Sequence, residues 1–180
     1  MPEFISGKPD ETAVPYQRPQ PAFMALDLVH PGVLGDWLAD DKLWVPITGS
    51  VAFKPLLLSA SQGYFVTLLR VRQAGVLSRH RHAGPVHALV LKGRWHYLEH
   101  DWIAEQGSYA YEPAGETHTL YVPLDVTEMI TWFHVTGGYT YVDPQGQVLA
   151  YEDVFTRIET ASRHYEAIGL GADYVQRFVR

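Results

Sequence analysis

Three histidines carry the most direct chemistry in this sequence. His80 and His82 stand two apart in Ser78-Arg79-His80-Arg81-His82, so in extended backbone both imidazoles leave the same face and could share one metal ion. With nine histidines in 180 residues, one such His-x-His arises by chance roughly half the time. From the pair alone, two surface or hydrogen-bonding histidines are the favoured reading. The third, His118, closes the stretch Gly107-Ser-Tyr-Ala-Tyr-Glu-Pro113-Ala-Gly115-Glu-Thr-His118. Its pattern is Gly, five residues, Pro, one residue, Gly, two residues, His, and composition alone would produce it roughly 0.004 times. Mechanically this is a strand, a Pro/Gly turn and a histidine opening the returning strand. A neighbouring strand bearing His80 and His82 would bring the three imidazoles together, since facing cross-strand side chains lie ~5 Å apart.

The elements that must position these groups are short and β-rich between Gly63 and Val148. Candidate strands are 64–72, 87–91, 94–99, 108–111, 119–122, 128–135 and 139–142, divided by turns such as Lys92-Gly93, Gly137-Gly138 and Asp143-Pro144-Gln145-Gly146. An antiparallel sandwich or small barrel is expected, spanning residues 23–151. Residues 1–22 hold Pro2, Pro9, Pro15, Pro19 and Pro21 and read as an extended arm. Residues 36–44 fit a short helix or a covering loop. After Tyr151 the apolar period changes: Val154, Ile158, Ala161, Tyr165 and Ile168 share one helical face, which predicts a helix packed on the barrel within 152–180, ended by Gly169 and Gly171.

Composition removes several alternatives. There is no cysteine, which excludes disulfides, thiolate metal sites and thiol nucleophiles. The chain carries 14 Lys and Arg against 20 Asp and Glu, a net charge of −6, which argues against nucleic acid as the main partner. Phosphate-binding glycine loops and a Gly-x-Ser-x-Gly nucleophile turn are absent. No basic leader followed by an apolar run opens the sequence, and no apolar stretch reaches the ~20 residues of a membrane span. A soluble, cytoplasmic protein is expected.

Together the two histidine stretches, from Gly75 to about Val122, resemble the two motifs of the cupin superfamily. That resemblance implies an all-β, jelly-roll-like antiparallel barrel with a metal held in its mouth by His80, His82 and His118. The sequence departs from the family pattern in two places. Val122 replaces the usual final Asn of the second motif. The position of the glutamate that many cupins use as a fourth ligand falls on His87 or Val86, depending on where counting begins, and neither is a carboxylate, so no glutamate ligand is expected. Three neutral imidazoles would then leave a divalent ion its full charge, with open positions for a chelating substrate and dioxygen. More finely, HRHAGPVHALVLKGRWHYLEHDW and GSYAYEPAGETHTL are similar to the 2,4'-dihydroxyacetophenone dioxygenase family. This implies Fe(2+) as cofactor, with Zn, Ni or Cu also suited to imidazole ligands, and O2 and a small aromatic hydroxyketone as substrates. The products would be 4-hydroxybenzoate and formate. A non-catalytic cupin that senses a metal or ligand, and a cupin isomerase or epimerase, are the competing expectations.

Three further assignments follow. On strand 94–99, alternation puts Trp95, Tyr97 and Glu99 on one face. If that face points inward, Trp95 and Tyr97 line a substrate pocket and Glu99 is a catalytic base near the metal, its pKa raised by desolvation and lowered by the cation. The alternative is a solvent-facing Glu99 at a strand end. His87 is expected near the pocket, as fourth ligand or as a hydrogen-bonded core histidine. An extended arm covering a sheet edge of a second copy predicts a homodimer.

Overall fold

The structure, a computed structural model, describes residues 14–180. Two six-stranded antiparallel sheets face each other. One has the order β1-β2-β3-β10-β5-β8 and the other β12-β11-β4-β9-β6-β7. The strands are β1 (Val45–Thr48), β2 (Val51–Ser59), β3 (Tyr64–Val71), β4 (Gly75–His82), β5 (Val86–Lys92), β6 (Arg94–Tyr97), β7 (Ala104–Glu105), β8 (Tyr109–Glu112), β9 (Thr117–Val122), β10 (Met129–Thr136), β11 (Tyr139–Val142) and β12 (Val148–Glu152). Crossovers such as β3 to β10 and β4 to β9 interleave the sheets in jelly-roll fashion. Two strands, β1 and β2, lie in a region where the sequence shows apolar clusters and turns without clear alternation. Six of the nine β2 residues are buried and the other three half-buried, so its pattern does not alternate with water.

Inward-facing Phe53, Phe65, Val71, Val86, Trp95 and Met129 fill the space between the sheets and are almost wholly shielded from water. At Gly93, whose φ is +72°, the chain passes from β5 in one sheet to β6 in the other. A Cβ there would lie 2.6 Å from the Glu128 carbonyl oxygen, so the turn requires glycine.

Two outer pieces complete the fold. Residues 36–44 form a short helix, α1 (Asp36–Ala39), and a 3-10 turn over Asp41–Leu43. They cover part of one sheet's outer face through Trp37, Leu38 and Trp44 on Leu68 and Ile130. Lys54 anchors this piece from β2. Its ammonium donates to the carbonyls of Trp37, Leu38 and Asp40 and lies about 5 Å from the Trp37 and Trp44 rings. The C-terminal helix, α2 (Val154–Ala167), starts on a capping box between Asp153 and Thr156. It lays Val154, Ala161 and Tyr165 against β1 and β2, and Gly169 with φ +82° follows its end. Residues 1–13 of the expected arm lie outside the described residues. Residues 14–22 carry no regular secondary structure and are exposed. No helix among the described residues is long and apolar enough to cross a membrane.

Candidate metal centre and pocket

Strand register builds the centre. β4 pairs with β9 so that His80 stands directly opposite His118. On its other side β4 pairs with β11, which sets Tyr141 opposite His80 and Tyr139 opposite His82. A bulge at Leu77 interrupts the β4–β9 ladder before the histidines. All three imidazoles are buried, and one nitrogen from each lies within 4.8 Å of the others. The Nε2 atoms of His80 and His82 are 3.0 Å apart.

A carboxylate completes the cluster, and it is not Glu99. Glu112 ends β8 in the opposite sheet, where it pairs with Val86 and is buried. Its Oε2 lies 3.2 Å from His82 Nε2 and 3.6 Å from His118 Nε2. The sequence offered no glutamate at the family's fourth-ligand position, yet the structure sets one beside the histidines. The usual position at 86–87 lacks one, but the neighbouring strand supplies Glu112 from within the second motif. No sequence signal pointed to it: along β8, Tyr109 and Tyr111 are exposed while Ala110 and Glu112 face in, the reverse of what the aromatic alternation of Tyr-Ala-Tyr-Glu suggests.

Burial, reinforced by the other two imidazoles, holds His80 well below the ordinary histidine range. Burial likewise lowers His118 to about 4, despite the opposing pull of the Glu112 carboxylate. Both rings are thus neutral at pH 7, the form that binds a metal. The Ser78 hydroxyl lies 3.1 Å from His80 Nδ1, and Tyr97 stacks on His118 at 3.6 Å between ring centroids. These contacts fix ring orientation, as second partners of metal-binding histidines do. Behind His118, its Nδ1 lies 3.7 Å from a Glu116 oxygen, and the other Glu116 oxygen is 2.8 Å from His100 Nε2. Both Glu112 oxygens, His82 Nδ1 and both His118 nitrogens are buried without a hydrogen-bond partner. Buried polar atoms are rarely left so. Ligand atoms ~2.1 Å from one ion and at right angles lie roughly 3 Å apart, close to the spacings found here. The donor set fits a divalent cation.

A cavity of about 580 Å³ opens onto His80 and His82, within the usual range for a small-molecule site. Its walls are mostly apolar, with Phe65, Leu69, Leu120, Phe133 and Val135 among them, and Tyr97 beside the histidines. The other sequence-derived pocket residues do not line it. Trp95 is fully buried beside Tyr97, its indole N–H donating to Thr131 at 3.1 Å. His87 sits on the opposite face of its strand from buried Val86 and Ala88. There it contacts Tyr109, Tyr111 and His134, because one step of strand register reverses the face.

Glu99 requires a similar correction. β6 stops at Tyr97 and the chain turns, so alternation does not extend to residue 99. Its side chain is exposed, and the carboxylate accepts from the Thr119 backbone N–H at 2.7 Å and from the Thr119 hydroxyl at 2.8 Å. Partial burial would raise its pKa, but these bonds outweigh it and the group is lowered, opposite to the expectation for an inward base.

Residues 38–140 match the family described as the ChrR Cupin-like domain. The chain belongs to that family. Among solved structures, this cupin is similar to an RmlC-like cupin protein from Ralstonia eutropha JMP134, at 29% identity and a TM-score of 0.64, over 69% of this chain and 82% of that one. An acetylacetone dioxygenase from Acinetobacter johnsonii shares the fold at 18% identity and a TM-score of 0.65, over 84% of this cupin and 99% of its own chain. No curated protein sequence matches.

Proposed function

We propose that this cupin is a metal-dependent dioxygenase that cleaves the C–C bond of an aryl α-hydroxyketone such as 2,4'-dihydroxyacetophenone. The observation that carries the reading is the buried cluster of His80, His82, His118 and Glu112 beside a largely apolar cavity. The fold shared with an acetylacetone dioxygenase supports it at the level of architecture. The reaction balances with one substrate and one O2 giving 4-hydroxybenzoate and formate, each product taking one oxygen atom.

His80, His82 and His118 would hold the ion, Fe(2+) in this reading, with Glu112 at its border. Bound there, the ion supplies Lewis acidity and oxygen chemistry. The chain's own residues do the rest. Ser78 and Tyr97 keep the His80 and His118 rings oriented. The apolar walls exclude water from an aryl group. Glu112 Oε2, beside His82 and His118 but outside the cavity lining, would set the charge around the ion rather than meet the substrate. The test is anaerobic purification with metal analysis, followed by oxygen-electrode assays on hydroxyacetophenones. About one iron per chain is expected, with oxygen uptake matched by 4-hydroxybenzoate and formate. Bound metal without oxygen uptake on any aryl hydroxyketone would overturn the enzyme and favour the second reading, a metal- or ligand-sensing cupin.

A further inference from the structure

A buried ionic cluster lies in the same cavity, outside the residues that hold the candidate metal. Arg157 projects from α2 into the cavity wall and is 4% exposed. Its Nη2 donates to Glu152 Oε2 at 2.5 Å and to the Tyr139 hydroxyl at 2.6 Å. The Tyr139 hydroxyl in turn donates to Glu152 at 3.1 Å. Tyr141 lies beside it, the two phenol oxygens 3.5 Å apart. Arg157 and Glu152 lie beyond the stretch that matches the family.

One donor is left over at the cavity. Tyr141 lines it together with Arg157 and Glu152, and its hydroxyl proton has only the 3.5 Å contact to Tyr139. An acceptor on a ligand would complete it. Arg157 Nε also lacks a partner, but it is closed off from the cavity. The face of the guanidinium packs 4.3 Å from Phe53, leaving its edge for hydrogen bonding.

The placement sets the length of the ligand. Tyr139 bridges the two polar ends of the cavity: its ring lies 5.1 and 5.4 Å from the His80 and His82 rings, while its hydroxyl meets Arg157. The polar cluster is therefore about one aromatic ring away from the histidines, across an apolar gap. An aryl ketone with an oxygen on the far side of its ring spans that gap. The cluster's chemistry selects the oxygen. Tyr141 offers a donor, Arg157 holds the cluster in place, and Glu152 is an acceptor that already balances the guanidinium charge. A neutral hydroxyl, which both donates and accepts, matches this set. A carboxylate would meet the charge of Glu152.

We infer that Arg157, Tyr141 and Glu152 form a recognition site for the ring hydroxyl of a 4-hydroxyaryl ketone, deepening the substrate assignment on which it rests. The test uses unreactive probes and calorimetry on the full chain, both metal-free and loaded with redox-inert zinc. 4-Hydroxyacetophenone should bind at least about tenfold more tightly than acetophenone or 4-acetylbenzoate. Tyr141→Phe and Arg157→Met should each reduce that preference to less than about threefold, with acetophenone affinity unchanged. Should Arg157→Met melt early, Tyr141→Phe decides, because it removes one hydroxyl and keeps the ring. Equal binding of the three probes, or a preference intact in folded variants, overturns the inference. The two readings fail separately. Hydroxyl preference without oxygen uptake sinks the dioxygenase alone. Equal turnover of 2-hydroxyacetophenone and its 4'-hydroxylated form sinks the recognition site alone.

Discussion

At the residue scale, the centre depends on four side chains with different duties. Replacing His80, His82 or His118 singly by Ala should remove most bound metal and all turnover, read by metal analysis and oxygen uptake. A variant with full metal and normal activity would break the assignment. Glu112→Gln should weaken metal binding or turnover by roughly 10–100-fold, as expected when a buried carboxylate beside metal-holding histidines becomes an amide. Unchanged metal binding and turnover would retire Glu112 from the centre. Glu99 gives the contrasting case. Its carboxylate holds Thr119, the neighbour of His118, through two hydrogen bonds, so Glu99→Gln should cost about 1 kcal/mol of stability and leave turnover within about threefold. A loss of a hundredfold would return Glu99 to the active site.

Elements explain why those side chains meet. Two antiparallel strands put His80 opposite His118, but Glu112 arrives from the other sheet, so the four-membered cluster exists only when the sheets face each other. The outer pieces matter as well. Lys54 is fully buried and ties three carbonyls of the 37–40 segment to β2. Burial lowers its pKa to about 8, which leaves it mainly protonated at pH 7 and able to donate to all three. Lys54→Met fills a similar volume but leaves the carbonyls without their donor. A loss of about 2 kcal/mol is expected, read as a lower denaturation midpoint with unchanged slope. Wild-type stability in that variant would show that water replaces the ammonium at no cost.

For the whole molecule, the exposed apolar residues of the amino-terminal segment are informative. Tyr16, Phe23, Met24, Leu26 and Val29 all lie largely open to solvent in a single chain, a run that a second copy would cover. We propose a homodimer in which the proline-rich arm crosses to its partner. Light scattering on the full chain and on a chain lacking residues 1–22 should give a dimer for the first and a weakened one for the second. A full-length monomer at micromolar concentration would sink the proposal.

Local features of the chain determined a good deal by themselves. The alternation of short β-rich runs, the two histidine stretches and the 3.6-residue period after Tyr151 each depend on neighbours in sequence. They pointed to the antiparallel barrel, the three imidazoles and the covering helix. What depended on distant contacts was decided only by tertiary structure. Glu99 left the pocket because β6 ends two residues earlier, and alternation means nothing past a turn. His87 faces away because its strand's register is set by Val86 and Ala88 packing inward. Glu112 and Arg157 escaped the sequence reading: Glu112 shares β8 with two tyrosines that alternation would turn inward, and Arg157 is a charge three residues after Val154 and four before Ala161 on an apolar helical face. A charge tolerated in a core needs partners to offset its desolvation. Arg157 has Glu152 and Tyr139, and Glu112 joins three histidines in a set that fits a cation, arrangements that arise only when sheets and helix close together.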